Sequence, residues 1–391
     1  MPENQSSDGD SAAPPAGTSV PLMARVINQG FVFLLAALCC AGCSTAPLDN
    51  ARSHFIAGRL QEADHDLAIL PHNGNSVLYL MERGMIRHHL RDYTNSTADW
   101  LEAVRLEKAL EVHSVSRAGT SMIVNDAVLS FRGYPYEFTY LHAFLAQNFL
   151  AQGKWEDAAV EARNIAHRLE KLDEFPDDAF CRYLTGLCFE LNGDESNAAM
   201  QYRQVLRLEP GSDLDATTGR FRSPTAPTNS FVAAPAEGEL VCLLGFYGTF
   251  GMIPDHADIV IEGKTVGSSR TLVRRLQLEC ASSQRMAARH ATKKLSRIVL
   301  KEAIAEAAET HNQNLGELLR VILFSMETND NRRWETLPAK LAVARVPCPA
   351  NGMRFDIEFK GASGTVLKRM TLSGPFMRKN KMSVAIASDN P

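Results

Sequence analysis

"LYLMERGMIRHHLRDYTNSTADWLEAVRLEK", residues 78–108, decides how the first half of this chain is read. Gly84 is followed after 12, 16 and 19 residues by Ser96, Trp100 and Ala103. Residues 142–172 and 182–210 repeat those offsets, with Ala146 followed by Ala158, Ala162 and Ile165, and Gly186 by Ala198, Tyr202 and Val205. Small residues on one helix and at the start of the next let the two axes approach, and the later aromatic fills the space beyond. Gly153-Lys154-Trp155 and Gly193-Asp194-Glu195 place glycine where a helix C-terminus favours positive φ, and Arg91 takes that place in the first unit. "FIAGRLQEADHDLAIL", residues 55–70, repeats the turn and second-helix signature with Gly58, Ala63 and Leu67, and reads as a half unit or degenerate unit.

This pattern resembles the tetratricopeptide repeat, a helix-turn-helix unit of about 34 residues. The turns are unevenly spaced, 33, 62 and 40 residues apart, so insertions are expected. The largest covers residues 111–138, and insertions in solenoids tend to gather on one face, often the binding face. Residues 211–238, with Pro224, Pro227 and Pro235 among Ser, Thr, Ala and Gly, read as a linker. Beyond it, "ELVCLLGFYG" is a short apolar run typical of a buried strand, and "ADIVIEGKTVG" a strand with a glycine turn. Residues 283–309 and "LGELLRVILFSM" have helical composition, and from Lys340 onward short strands alternate with Gly and Pro in the manner of an antiparallel sandwich. The expected class is therefore α+β: an all-α, tetratricopeptide-like solenoid over 43–210, then a mixed, β-sandwich-like domain over 239–391.

At 391 residues, such domains bury cores without staples, and a net charge of −4 gives no general attraction to nucleic acid. Residues 1–22 carry too little apolar surface to fold and read as a disordered or mis-annotated extension, with translation expected to start at Met23. Residues 23–42 have signal-peptide order: Arg25, an apolar stretch from Phe31 to Ala41, then small residues before Cys43. The stretch is shorter than the roughly 20 residues of a spanning helix. Ala41-Gly42-Cys43 resembles the lipobox of bacterial lipoproteins, with Cys40 where Leu is usual. That resemblance implies acylation of Cys43, and Ser44 after it implies the periplasmic face of the outer membrane. Five cysteines remain: Cys181, Cys188, Cys242, Cys280 and Cys348. They read as buried small apolar residues, and a bridge such as Cys242 to Cys280 is one that sequence alone does not choose.

"YLMERGMIRHHLRDYTNS", "NDAVLSFRGYPYEF", "DDAFCRYLTGLCFELNGD" and "DNRRWETLPAKLAVARVPCP" together resemble a family of bacterial lipoproteins with tetratricopeptide repeats and a β-rich C-terminal domain. The resemblance runs from about residue 43 to about 385, with gaps, and implies no activity.

The sequence displays no catalytic apparatus: no G-x-S-x-G elbow, no H-E-x-x-H helix, no papain-like cysteine context. Glycine-rich "GFYGTFG", residues 245–251, lacks the Lys-Ser/Thr ending of a phosphate loop and reads as a close strand-loop approach. His88 and His89 point about 100° apart on a helix and read as surface or interface residues. His65, Asp66 and His72 straddle Pro71 and read as solvated. No metal or cofactor is expected. In "DNRRWETLP", Arg332, Arg333 and Trp334 are either a ligand platform or a structural plug with an Arg on a buried carboxylate. In "YPYEF", Tyr134 and Tyr136 shape a groove or pack the insertion onto the next helix. Basic residues near the C-terminus, Lys368, Arg369, Arg378, Lys379 and Lys381, read mainly as solvated strand faces, with an anionic envelope polymer as the other reading.

The functional expectation is a non-enzymatic scaffold, held to the membrane by its N-terminal lipid, binding an envelope protein or peptide in the groove of residues 51–210. Candidate contacts are Tyr134, Tyr136, Trp155, Arg332, Arg333 and Trp334. The alternative is a cell-wall glycan or small-ligand module acting through the C-terminal domain.

Overall fold

The computed structural model describes residues 46–69, 75–116, 131, 133–171, 176–222, 232, 234–248, 252–283, 332–348 and 354–390. Helices come first: α1 (Ala46–Ile56), α2 (Leu60–Asp66), α3 (Ser76–His89), α4 (Tyr93–Ser116), α5 (Pro135–Ala151), α6 (Trp155–Glu170), α7 (Ala179–Leu191) and α8 (Glu195–Leu208). Strands β1 (Glu239–Phe246), β2 (His256–Ile261), β3 (Lys264–Ser268) and β4 (Arg270–Arg274) lead into helical residues 275–283. The chain ends with β5 (Lys340–Pro347), β6 (Arg354–Lys360), β7 (Val366–Ser373), β8 (Arg378–Lys379) and β9 (Met382–Ser388). The class is α+β, and no described helix is long and apolar enough to cross a membrane. The helices expected over 283–309 and 315–326 lie outside the described residues, apart from residue 283.

Small residues set the helix pairing. A Cβ on Gly84 would lie 2.2 Å from Nε1 of Trp100, and one on Gly186 would lie 2.7 Å from Cε1 of Tyr202. In the middle pair, Ala146, Ala158, Ala162 and Ile165 are all fully buried. The turns follow the expected backbone, with φ of +73° at Gly58, +60° at Arg91, +72° at Gly153 and +83° at Gly193. Arg91 takes the left-handed conformation that glycine takes elsewhere, at some steric cost.

Five strands form one sheet in the order β4-β5-β1-β9-β8, and four form another in the order β3-β2-β6-β7. The expectation of antiparallel pairing fails in one place: β1 and β9 run parallel, Glu239 opposite Met382. The chain's last strand inserts along the free edge of β1, whose other edge is bonded antiparallel to β5.

β1 is buried on both faces, which explains why "ELVCLLGF" is apolar without alternation. Val241 and Leu243 join Leu341, Val343, Met382 and Val384 in the core made by the helices. Leu240, Cys242, Leu244 and Phe246 face the other way, onto Ile259, Phe355, Ile357 and Phe359 of the second sheet. The order of layers is thus helices, five-stranded sheet, four-stranded sheet, all within one compact unit, residues 46–391.

Residues 211–222, expected as the start of a linker, are tied into this unit. Leu214 is fully buried and bridges to Phe221, whose ring stacks on Tyr183 at 5.7 Å. Arg220 pairs with Glu239 at 2.6 Å. Two apolar anchors and one guanidinium are enough to dock a stretch that composition alone reads as loose. None of the five described cysteines forms a disulfide; Cys280 is exposed and the other four are buried.

Candidate functional site

The helix-to-sheet junction is built around two buried carboxylates, both at 0% exposure: Glu82 on α3 and Glu137 on α5. Glu137 is the third helical residue of α5 and closes a capping box, accepting the Tyr134 N–H at 2.7 Å. Its other oxygen accepts the Trp334 N–H, also at 2.7 Å. Burial outweighs these bonds and pushes the Glu137 carboxyl up to about 8. Glu82 accepts the Glu335 N–H at 3.0 Å and the Thr336 N–H at 3.3 Å, and pairs with Arg52 at 2.6 Å. Arg52 in turn donates to the Arg333 carbonyl at 2.7 Å. Arg275 donates to the Leu337 carbonyl at 2.6 Å. Segment 332–337 is therefore held by its backbone, chiefly through helix side chains.

The structure gives the six candidate contacts different environments. Trp334 is 1% exposed, its ring 6.1 Å from Trp100 and 5.9 Å from Phe144, so a partner docking from outside does not reach it. Tyr136 is 2% exposed and equally enclosed. Tyr134 is half-buried and stacks on Tyr136 at 5.8 Å. Arg332 bonds Asn75, Arg333 is exposed near Glu335 at 3.6 Å, and Trp155 is half-buried at the start of α6. Cys43 and His72 lie outside the described residues, and Asp66 bonds His54 at 2.8 Å.

His88 is buried rather than on the surface, and a chain of hydrogen bonds fixes its tautomer. The Ser96 hydroxyl donates to the Gly84 carbonyl at 2.6 Å, so its oxygen must accept from the Asn148 Nδ2 at 2.9 Å. Asn148 Oδ1 then faces His88 Nδ1 at 2.6 Å, which places the ring proton on Nδ1 and leaves Nε2 as an acceptor. Burial holds the His88 ring down to about 4. The His89 ring is also held well below the ordinary histidine range, first by burial and then by the His88 and Lys368 charges. It lies between Tyr247 (Nε2 to OH, 2.8 Å) and Ser388 (Nδ1 to Oγ, 3.3 Å).

The "GFYG" turn makes the close strand-loop approach expected of it. Asp389 accepts the N–H groups of Tyr247 and Gly248, at 2.6 and 3.1 Å. Two spaces flank the Tyr247 ring. One, of about 180 Å³, is lined by His88, His89, Gln147, Phe144, Leu243 and Ile386 among others. The other, of about 210 Å³, is a cleft beside segment 333–337 with Arg52, Ile56, Arg275, Glu279 and Arg333 on its walls. No group of three or more His, Cys, Asp or Glu among the described residues is arranged to hold a metal.

Sequence reasoning passed over Glu82, Glu137, Gln147, Asn148, Tyr247 and Asp389. Two signals were there: a lone acid between Met81 and Gly84 on an apolar helix, and Glu137 three residues after Tyr134 in capping-box spacing.

No protein-family model matches the chain, and no curated protein matches it. Among solved structures it is similar to one described as MamA MSR-1 C2, at 14% identity, over 42% of this chain and 75% of that one, with a TM-score of 0.28. A likeness at that score carries no weight for fold or function.

Proposed function

We propose that this chain is a lipid-anchored envelope scaffold that docks a protein or peptide partner and performs no chemistry of its own. In this reading α3–α8 are a tetratricopeptide-like solenoid, the two sheets are a sandwich-like domain, and Cys43 carries the lipid at the periplasmic face of the outer membrane. One observation supports the docking role: α3 and α5 hold an irregular stretch of backbone, residues 332–337, by aiming Glu82 and Glu137 at its N–H groups.

That observation also moves the expected docking surface. The groove of residues 51–210 is lined by α3, α5 and α7, and their core faces are covered by Trp334, Val241, Leu243 and Val343 of the same chain. An external partner therefore uses the cleft that remains open beside segment 333–337. There Ile56, 71% exposed, offers apolar surface, and Arg333 offers a guanidinium to a carboxylate. The partner this fits is a segment with an apolar residue next to an acidic one.

Photo-crosslinking side chains placed at Ile56 and at Arg333 in intact cells test the reading. The expected result is a discrete protein adduct, lost in the double variant Ile56→Asp, Arg333→Glu and reduced when Cys43→Ala releases the chain from the membrane. No protein adduct at either position, with saturable binding only to glycan fragments, would overturn it.

A further inference from the structure

The open cleft beside segment 333–337 offers a partner little to hold. Arg52 and Arg275 on its walls are already committed, to Glu82 and to the Leu337 carbonyl. Glu279 pairs with Arg275 at 3.2 Å. What remains is one exposed apolar side chain, Ile56, and one exposed guanidinium, Arg333, whose nearest carboxylate is Glu335 at 3.6 Å. A single isoleucine buries a modest apolar area, and an exposed ion pair adds little, so contact of this kind is no tighter than about millimolar. A freely diffusing protein at ordinary concentration leaves such a site empty. A protein kept beside it does not.

The length of chain ahead of α1 supplies that closeness. From Cys43 to Ala46, where α1 begins, the backbone takes three steps and reaches at most about 10 Å. From Ala46 to Ile56 the helix rises about 15 Å. With the Cys43 acyl chains in the bilayer, Ile56 stands no more than about 25 Å from the membrane surface, less than the diameter of a small domain, roughly 30 Å. A segment that reaches the cleft must itself come that close to the bilayer. We propose that the occupant of the cleft is the membrane-adjacent segment of a different protein anchored in the same bilayer, presenting an apolar residue beside an acidic one within about 25 Å of its own membrane attachment. This inference rests on the lipid-anchored docking reading above and adds to it the class of partner. Anchorage in one bilayer raises the effective concentration of such a segment toward the millimolar range, which matches the weak contact. A partner without an attachment lacks that gain.

The test lengthens the tether. About 24 flexible Gly/Ser residues are inserted between Thr45 and Ala46 of the full chain, and photo-crosslinking at Ile56 and at Arg333 is repeated in intact cells. The insertion lies ahead of the folded unit, residues 46–391, so membrane retention and melting temperature should stay at the parental values. In the parent, the adduct should contain a protein whose uncrosslinked pool resists extraction from the membrane at alkaline pH. The longer tether should lower the adduct yield at least fivefold, because effective concentration falls roughly as the −3/2 power of tether length or more steeply. Cys43→Ala should lower it at least as far. A partner whose uncrosslinked pool is soluble, an adduct made only of two copies of this chain, or an unchanged yield with the longer tether would overturn this inference and leave the docking reading standing. Absence of any protein adduct, with either tether, overturns both.

Discussion

At the scale of single residues, two glycines and one arginine carry most of what the repeat pattern means. Alanine at Gly84 would put a methyl against the Trp100 indole, and alanine at Gly186 would put one against Tyr202. Neither aromatic can retreat, since both are fully buried. Each substitution should cost about 1–3 kcal/mol by chemical denaturation. Arg91→Gly should act the other way, gaining about 0.5–1 kcal/mol, because it relieves a left-handed backbone at φ +60°. His88 supplies a pH term. Its folded value of about 4 lies below the ordinary 6.5, so the unfolded chain binds more protons between those two values. Its contribution is therefore complete above pH 6.5 and lost as pH falls to 4, an effect of about 3 kcal/mol. Glu137, pushed up to about 8, works in the opposite sense, its contribution lost as pH rises toward 8. Comparison of the parent with His88→Phe separates the two: across pH 4–7 the opposed contributions should leave the parent's denaturation midpoint nearly flat, whereas the variant, left with Glu137, should lose stability as pH rises.

At the scale of elements, the segment 332–337 is worth more than its length suggests. It forms no helix or strand, yet Trp334 fills the space between Trp100 and Phe144 while its backbone meets Glu82 and Glu137. Trp334→Ala should cost about 3–5 kcal/mol, read as a shift in denaturation midpoint. A second junction joins α7 to the five-stranded sheet. Arg345 on β5, with a side chain 1% exposed, pairs with Glu190 at 2.7 Å and with Glu239 at 2.6 Å. Arg345→Ala takes the close cation from Glu190 and leaves Glu239 with Arg220 alone, and should cost about 3–5 kcal/mol. Arg345→Ala combined with Glu190→Gln and Glu239→Gln should recover part of that loss.

At the scale of the whole molecule, the five-stranded sheet makes helices and strands mutually dependent. One face of β1 belongs to the helical core and the other to the core between the sheets. Residues 46–391 should therefore melt in a single calorimetric transition, with calorimetric and van't Hoff enthalpies in agreement. Residues 46–222 expressed alone, with the faces of α5 and α7 uncovered, should bind a hydrophobic dye and lack a cooperative melt. Two separate transitions would show that the helical part is an independent solenoid after all.

The sequence by itself determined the local geometry. Spacing of small residues gave the helix pairs, positive-φ positions gave the turns, including the unusual Arg91, and the unbroken apolar run at 239–246 gave a buried strand. These are decided by neighbours within about 20 residues, where sterics leave few alternatives. Only the tertiary structure decided what covers the helix faces, because the backbone N–H groups of Trp334 and Glu335 that Glu137 and Glu82 accept lie some 200 residues or more further along. Separations from 60 residues upward likewise hid the burial of His88 and Trp334 and the parallel pairing of β1 with β9. Burial and charge pairing are properties of surfaces brought together by folding, and no local pattern records which surfaces those are.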